Sequence, residues 1–233
     1  MALNINGTTG ISGVDGSVSA PALTGTDSNS GITFPAADTI KFSTGGVERM
    51  QITNSGVSGT GIGGGIVKIA TRRYYGFDQT TGISNSGFTQ IDKAFVDITP
   101  TSASNYIKLG GLFTWDGSDT ESQYSFRWKK VITGGATTSI DSGQGSGLRR
   151  AIHYKEIGNG GLACTTLNSI VDLADTTSSI RYYLEVFVDG SGQTLYLNRT
   201  HADLNDPRDE RGASYFTAEE LSSSIHTHTN TNS

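Results

Sequence analysis

The chain has one cysteine, four prolines and few charges: 17% of its 233 residues are Asp, Glu, Lys or Arg. A lone Cys164 excludes an intrachain disulfide and a cysteine zinc site. Scarce proline, with glycines that follow no three-residue period, excludes collagen. Acidic residues outnumber basic ones, 22 to 17, for a net charge of −5. The chain therefore carries no electrostatic footprint for nucleic acid or for an anionic membrane. No run approaches the roughly 18 consecutive apolar residues of a membrane span, so membrane insertion is not expected. Met1-Ala2-Leu3-Asn4-Ile5-Asn6 has neither a basic n-region nor an apolar h-region, which predicts synthesis in a cytosol without Sec export.

Small residues are abundant. Thirty-one glycines, 30 threonines and 27 serines make up over a third of the chain. Hydrophobic residues still reach 34%, with nine Phe, nine Tyr and two Trp, which argues against full disorder. Turn-forming residues with few charges suit many short strands and tight turns. No run of ten or more residues has helical periodicity, so the chain reads as all-β.

The aromatics are unevenly placed. Only Phe34 and Phe42 precede residue 73; the other eighteen lie between Tyr74 and Phe216. Large side chains supply most of a core's buried area. Residues 1–70 hold 14 glycines and seven charges, and read as an extended, turn-rich arm that must bury its surface against something else. Within it, Thr39–Ser43 and Val47–Thr53 flank Gly45-Gly46 and predict a β-hairpin. An isolated hairpin is marginal in water. Three copies wound about an axis would bury Ile40, Phe42, Val47, Met50 and Ile52 together. Ser58–Gly65 has linker composition.

Residues 73–221 read as a jelly-roll or β-sandwich head. Tyr106–Trp115, Tyr124–Val131, Leu167–Leu173, Arg181–Val188, Thr194–Asn198 and Ser214–Leu221 predict strands, the last as a closing edge. Phe88–Ile98 is a strand pair or one long strand. The domain plan is an arm at 1–35, a hairpin shaft at 36–56, a linker at 57–72, the head at 73–221 and a polar tail at 222–233.

Three stretches carry a family resemblance. Residues 1–31, from Met1-Ala2-Leu3-Asn4-Ile5-Asn6-Gly7 to Asp27-Ser28-Asn29-Ser30-Gly31, resemble the leader of fibre-like virion proteins of tailed bacteriophages, many of them cyanobacterial. Phe42-Ser43-Thr44-Gly45-Gly46-Val47-Glu48-Arg49-Met50-Gln51-Ile52 is similar to the Gly-Glu-Arg-Met repeat of phage fibre shafts. Val96–Asn105, Leu195–Thr200 and Arg211–Leu221 resemble a common phage fibre domain. The resemblance departs at Lys129–Ser146. It implies a virion protein, made in the host bacterium, that assembles as a homotrimer. It implies attachment to another virion protein through residues 1–35, where Leu3, Ile5, Ile11, Val14, Pro21 and Leu23 are the apolar anchors. It implies a head that meets a host-surface glycan or protein. A capsid-bound head fibre or decoration protein is the alternative reading, and a polysaccharide-cleaving spike is the enzyme-class alternative.

Asp203, Asp206, Asp209 and Glu210 stand beside Arg208 and Arg211. Paired carboxylates suit glycosidase chemistry, but a solvated loop with surface ion pairs is the favoured reading of the run. No catalytic residue is assigned, and the expectation is a binding protein without enzymatic activity. His226-Thr227-His228 reads as a polar tail, with a three-fold metal site in the trimer as the alternative. No metal or cofactor is assigned. His153 and His201 read as surface or loop residues, and Cys164 as a small buried residue. Trp115, Trp128 and Tyr154 are the candidate aromatics for surface binding, within a set that also supplies the core.

Overall fold

The computed structural model describes residues 4–6, 10–12, 15–59, 66–119, 121–140, 152–157, 161–204, 210–223 and 226. The chain divides into two compact units, residues 1–65 and 66–233. Among the described residues every regular element is a β-strand and every named pairing is antiparallel.

The first unit opens with two short pairs, β1 (Asn4–Asn6) with β2 (Gly10–Ser12) and β3 (Gly16–Ser17) with β4 (Ala20–Pro21). A five-stranded meander follows: β5 (Leu23–Thr24), β6 (Gly31–Ala36), β7 (Thr39–Thr44), β8 (Val47–Thr53) and β9 (Gly56–Ser58). The expected hairpin is β7–β8. Gly45 and Gly46, at φ +60° and +72°, make its two-residue turn, a conformation that only residues without a Cβ adopt freely. β6 runs through residue 35 and pairs with β7, so the end of the arm, β5 and β6, belongs to the same sheet as the shaft, while β1–β4 form separate pairs.

The second unit is a two-sheet sandwich. One sheet orders β10 (Ile66–Tyr74), β20 (Ser214–Leu221), β13 (Tyr106–Gly117), β19 (Gln193–Leu197) and β11 (Asp78–Ile83), and β17 (Ala163–Leu173) pairs along the other side of β13. The facing sheet orders β12 (Thr89–Ile98), β18 (Ile180–Val188), β14 (Gln123–Ile132) and β15 (Thr137–Ser139), with β16 (Tyr154–Ile157) also on β14.

Alternation decides which side chains fill the space between the sheets. Along β14, Tyr124, Phe126, Trp128 and Lys130 point inward and are buried. From the opposite sheet come Phe113, Trp115 and Phe216. The rings meet across the gap, Trp115 with Tyr124 at 4.9 Å and Phe113 with Phe126 at 5.3 Å between centroids. Each such side chain contributes about 1.5–3 kcal/mol through removal from water. The same alternation drives Lys130 inward.

Three readings change. Ile66–Tyr74, placed largely in the linker by composition, is a strand of the head sheet: glycine ends at Gly65, and the run pairs with β20. β20 lies between β10 and β13 and is not a closing edge. Phe88–Ile98 is one strand, β12, whose pairing to β18 shifts between Gln90 and Phe95.

Candidate functional site

In the first unit, register assigns faces, because cross-strand partners share a side. Leu23 pairs with Ile32, Ile32 with Phe42, Phe42 with Met50, Ile40 with Ile52, and Ile52 with Val57. Thr44 opposite Val47 continues the same side past an irregularity between Phe42 and Ser43. One face is therefore nearly all aliphatic and aromatic. It is also the exposed face: Leu23, Val47 and Val57 are 41%, 51% and 56% accessible. The opposite face carries Thr33 and Ser43, both buried, with Lys41 paired to Glu48 at 2.7 Å. The five residues expected in the shaft all lie on the apolar face. Of the anchor residues, Leu3 and Val14 lie outside the described residues. Ile5 and Ile11 pair across β1–β2, Pro21 is half-buried in β4 and Leu23 is exposed.

In the head, the structure removes two of the three candidate surface aromatics. Trp115 and Trp128 are fully buried, because both fall on inward positions of strands that line the core. Trp115 donates its indole N–H to Thr165 Oγ1 at 2.8 Å. Tyr154 is half-buried on β16 and packs against the core. The exposed aromatic rings of this unit are instead Tyr75, Phe77 and Tyr215.

The carboxylate run resolves into ion pairs where it is described. Arg211 Nη2 lies 3.0 Å and Arg199 Nη1 3.9 Å from the Asp203 carboxylate. Asp206, Arg208 and Asp209 lie outside the described residues, as does His228. The His226 ring meets Tyr106 edge-on at 5.3 Å, and its Nε2 is buried without a hydrogen-bond partner. Among the described residues no three His, Cys, Asp or Glu side chains are grouped as for a metal ion. Cys164 is exposed, contrary to the expectation of burial. On β17 it shares the outward side with Thr166, while Thr165 and Leu167 turn in. His153 Nδ1 accepts a 2.9 Å bond from Trp128 N–H, and His201 stands 3.4 Å from the Asp116 carboxylate.

Three arrangements had no motif to announce them. The first is Lys130, whose ammonium donates to Leu173 O at 2.6 Å and lies 2.9 Å from Asp175 and 3.1 Å from Asp172. Tyr182 O–H donates to Asp172 at 2.8 Å. Burial pushes the Asp172 carboxyl up, and Tyr182 and Lys130 offset only part of that. The second is Glu220, buried, whose Oε1 accepts from Thr101 N, Thr101 Oγ1 and Asn105 Nδ2 at 2.7–2.8 Å. The third lies at the seam between β10 and β12. Arg72 Cζ lies 3.7 Å and Arg181 Cζ 3.9 Å from the Phe95 ring centroid. Two cations that close must take opposite faces of the ring.

No family model and no curated protein matches the chain. Among solved structures, a chain from the structure of infectious bursal disease virus Gt strain is similar at 14% identity and TM-score 0.37, over 90% of this chain and 56% of that one. A chain from the Gx strain is similar at 14% identity and TM-score 0.35, over 66% and 37%. One from infectious bursal virus derived T=1 particles shows 12% identity and TM-score 0.35, over 90% and 54%. The chain thus spans between about a third and just over half of those proteins. The sandwich rests on its own strand registers and not on these partial likenesses.

Proposed function

We propose that the chain is a virion structural protein of a tailed bacteriophage: a homotrimeric fibre or spike subunit, held to another virion protein through its first 35 residues and displaying the sandwich head toward a host-surface glycan or protein. The observation that carries this reading is the inverted sheet of the first unit. An isolated sheet buries its apolar face and exposes its polar one; β5–β9 does the opposite. An exposed aliphatic face of this kind marks an association surface. Copies of the chain are its simplest cover, since wrapping the same face about an axis closes all copies at once. The phage assignment rests on the leader and the shaft repeat in the sequence. Three linked heads then gain avidity from weak individual contacts. The role is binding, not chemistry.

Sedimentation equilibrium of the full chain is the test. A mass of three chains is expected, and a stable monomer at micromolar concentration overturns the fibre reading. Gold-labelled antibody on purified particles then separates tail from capsid. Incubation with host polysaccharide and a reducing-end assay is expected to release no sugar ends.

A further inference from the structure

The seam between β10 and β12 holds a cation, Arg72, that pairs with no carboxylate among the described residues. Arg181 is satisfied, since its Nε and Nη2 grip both oxygens of Asp97 at 2.7 and 2.9 Å. Arg72 has no such partner. Among the described residues it makes no ion pair, and its Nε is buried without an acceptor. The guanidinium instead lies over the Phe95 ring, its Cζ 3.7 Å from the centroid, with the Tyr74 ring at 5.9 Å. A depression of about 370 Å³ opens there, lined by Thr71, Arg72, Arg73, Phe95, Val96 and Asp97. In a chain of net charge −5, this is a positive site without a carboxylate of its own among the described residues.

We propose that this depression binds the oxyanion of an acidic polysaccharide, a carboxylate or a sulfate ester, with Arg72 as the primary contact. A stacked guanidinium presents a rigid planar fork, and that fork matches a carboxylate or sulfate with two parallel hydrogen bonds. Ring stacking prevents the side chain from folding away, so little rotamer freedom is lost when the anion arrives. Arg73 adds charge from the neighbouring outward position. Asp97 lines the depression but is already neutralised by Arg181. The inference deepens the host-surface reading by naming the class of glycan, yet the site can be tested whatever the place of the protein on the particle.

Calorimetric titration of the full chain with oligoglucuronate, dextran sulfate and neutral dextran is the experiment. Binding to at least one acidic polymer and none to dextran is expected, weakening as salt is raised. A response to oligoglucuronate alone identifies a carboxylate site, and one to dextran sulfate alone a sulfate site. Arg72→Met keeps an apolar chain on the Phe95 ring and is expected to weaken binding at least tenfold. Arg73→Gln, on an exposed position, is expected to weaken it severalfold and stands in if the first variant does not fold. Lys155→Ala, exposed on β16, is the control for diffuse charge and is expected to bind unchanged. No binding to either acidic polymer, unchanged affinity in both arginine variants, or equal loss in Lys155→Ala overturns the proposal. A failure here with an intact trimer by sedimentation removes this site and leaves the fibre reading standing.

Discussion

Asn105 Nδ2 donates a 2.8 Å hydrogen bond to Glu220 Oε1, joining the turn before β13 to the end of β20 across 115 residues of sequence. Thr101 adds its backbone N–H and its hydroxyl to the same oxygen. Burial pushes the Glu220 carboxyl up, but hydrogen bonds from Asn105, Thr101 and Ser102 together outweigh it and hold the group below the usual glutamate range. The carboxylate therefore stabilises the fold above the pKa of the unfolded chain, and that contribution is lost as pH falls through the lower folded value. Glu220→Gln is expected to lower stability by about 1–3 kcal/mol at neutral pH. The gap to wild type should begin to narrow as pH falls past the ordinary glutamate pKa of about 4.3 and close only below the lower folded value, where both side chains are neutral. Urea titrations at several pH values check this; a gap independent of pH would show that charge plays no part in the clasp.

Lys130 tests whether the buried ion cluster is held together or merely tolerated. Its removal leaves Asp172 buried beside Asp175 with no cation. Lys130→Ala is expected to cost about 3–5 kcal/mol, as for other broken buried pairs, at the lower end because the Asp175 side chain is half exposed. Lys130→Met with Asp172→Leu removes both buried charges, leaves the half-exposed Asp175 and the Tyr182 hydroxyl without those partners, and is expected to recover part of the loss. Equal instability of the single and double variants in thermal melts would mean that shape and not charge is being measured.

Gly111 sits mid-strand in β13 at φ +139°, where the register to β17 shifts. A Cβ there would run into the backbone carbonyl of Tyr215 on the neighbouring strand. Gly111→Ala is expected to destabilise the head by about 2 kcal/mol or more, through backbone strain and displacement of β20. Gly134→Ala is the comparison: it has positive φ but open space around it, and should cost only about 1 kcal/mol. Thermal melts that place the two variants together would contradict a steric origin.

The exposed apolar face of the first unit predicts how assembly responds to charge. Val47→Asp with Ile52→Asp puts two carboxylates on that face in every copy. Sedimentation should show the proposed trimer dissociating, while far-ultraviolet circular dichroism of the head strands is retained. An unchanged oligomer would mean that this face is not the one that associates.

Part of this architecture was legible in the sequence because strand periodicity is local. The alternation in Tyr124–Val131 and the Gly-Gly turn after Thr44 each specify a strand or a hairpin from neighbours alone. The expected boundaries slipped where composition misled. Ile66–Tyr74 looked like linker because glycines precede it, yet its pairing partner lies near residue 220, far outside any local window. Ala218-Glu219-Glu220-Leu221 was legible as a strand but not as a central one, since strand order is not encoded in periodicity.

The binding residues were less legible still. Trp115 and Trp128 suggested a surface because tryptophan serves cores and interfaces alike, and only burial distinguishes the two. Arg72 gave no signal at all. Its neighbours Phe95 and Arg181 belong to other strands, and an arginine left without a carboxylate is visible only when every partner within reach has been placed.

Composition and alternation by themselves determined that the chain is all-β, that its head carries the aromatic core and that its first 65 residues hold a hairpin with a one-sided apolar pattern. These properties depend on residues two or four apart. The tertiary structure decided which face of that hairpin sheet meets solvent, which tryptophans are inside, how Glu220 clasps a turn more than a hundred residues away and that Arg72 meets no carboxylate among the described residues. Those outcomes depend on burial and on contacts distant in sequence, whose energies exist only once the sheets have come together.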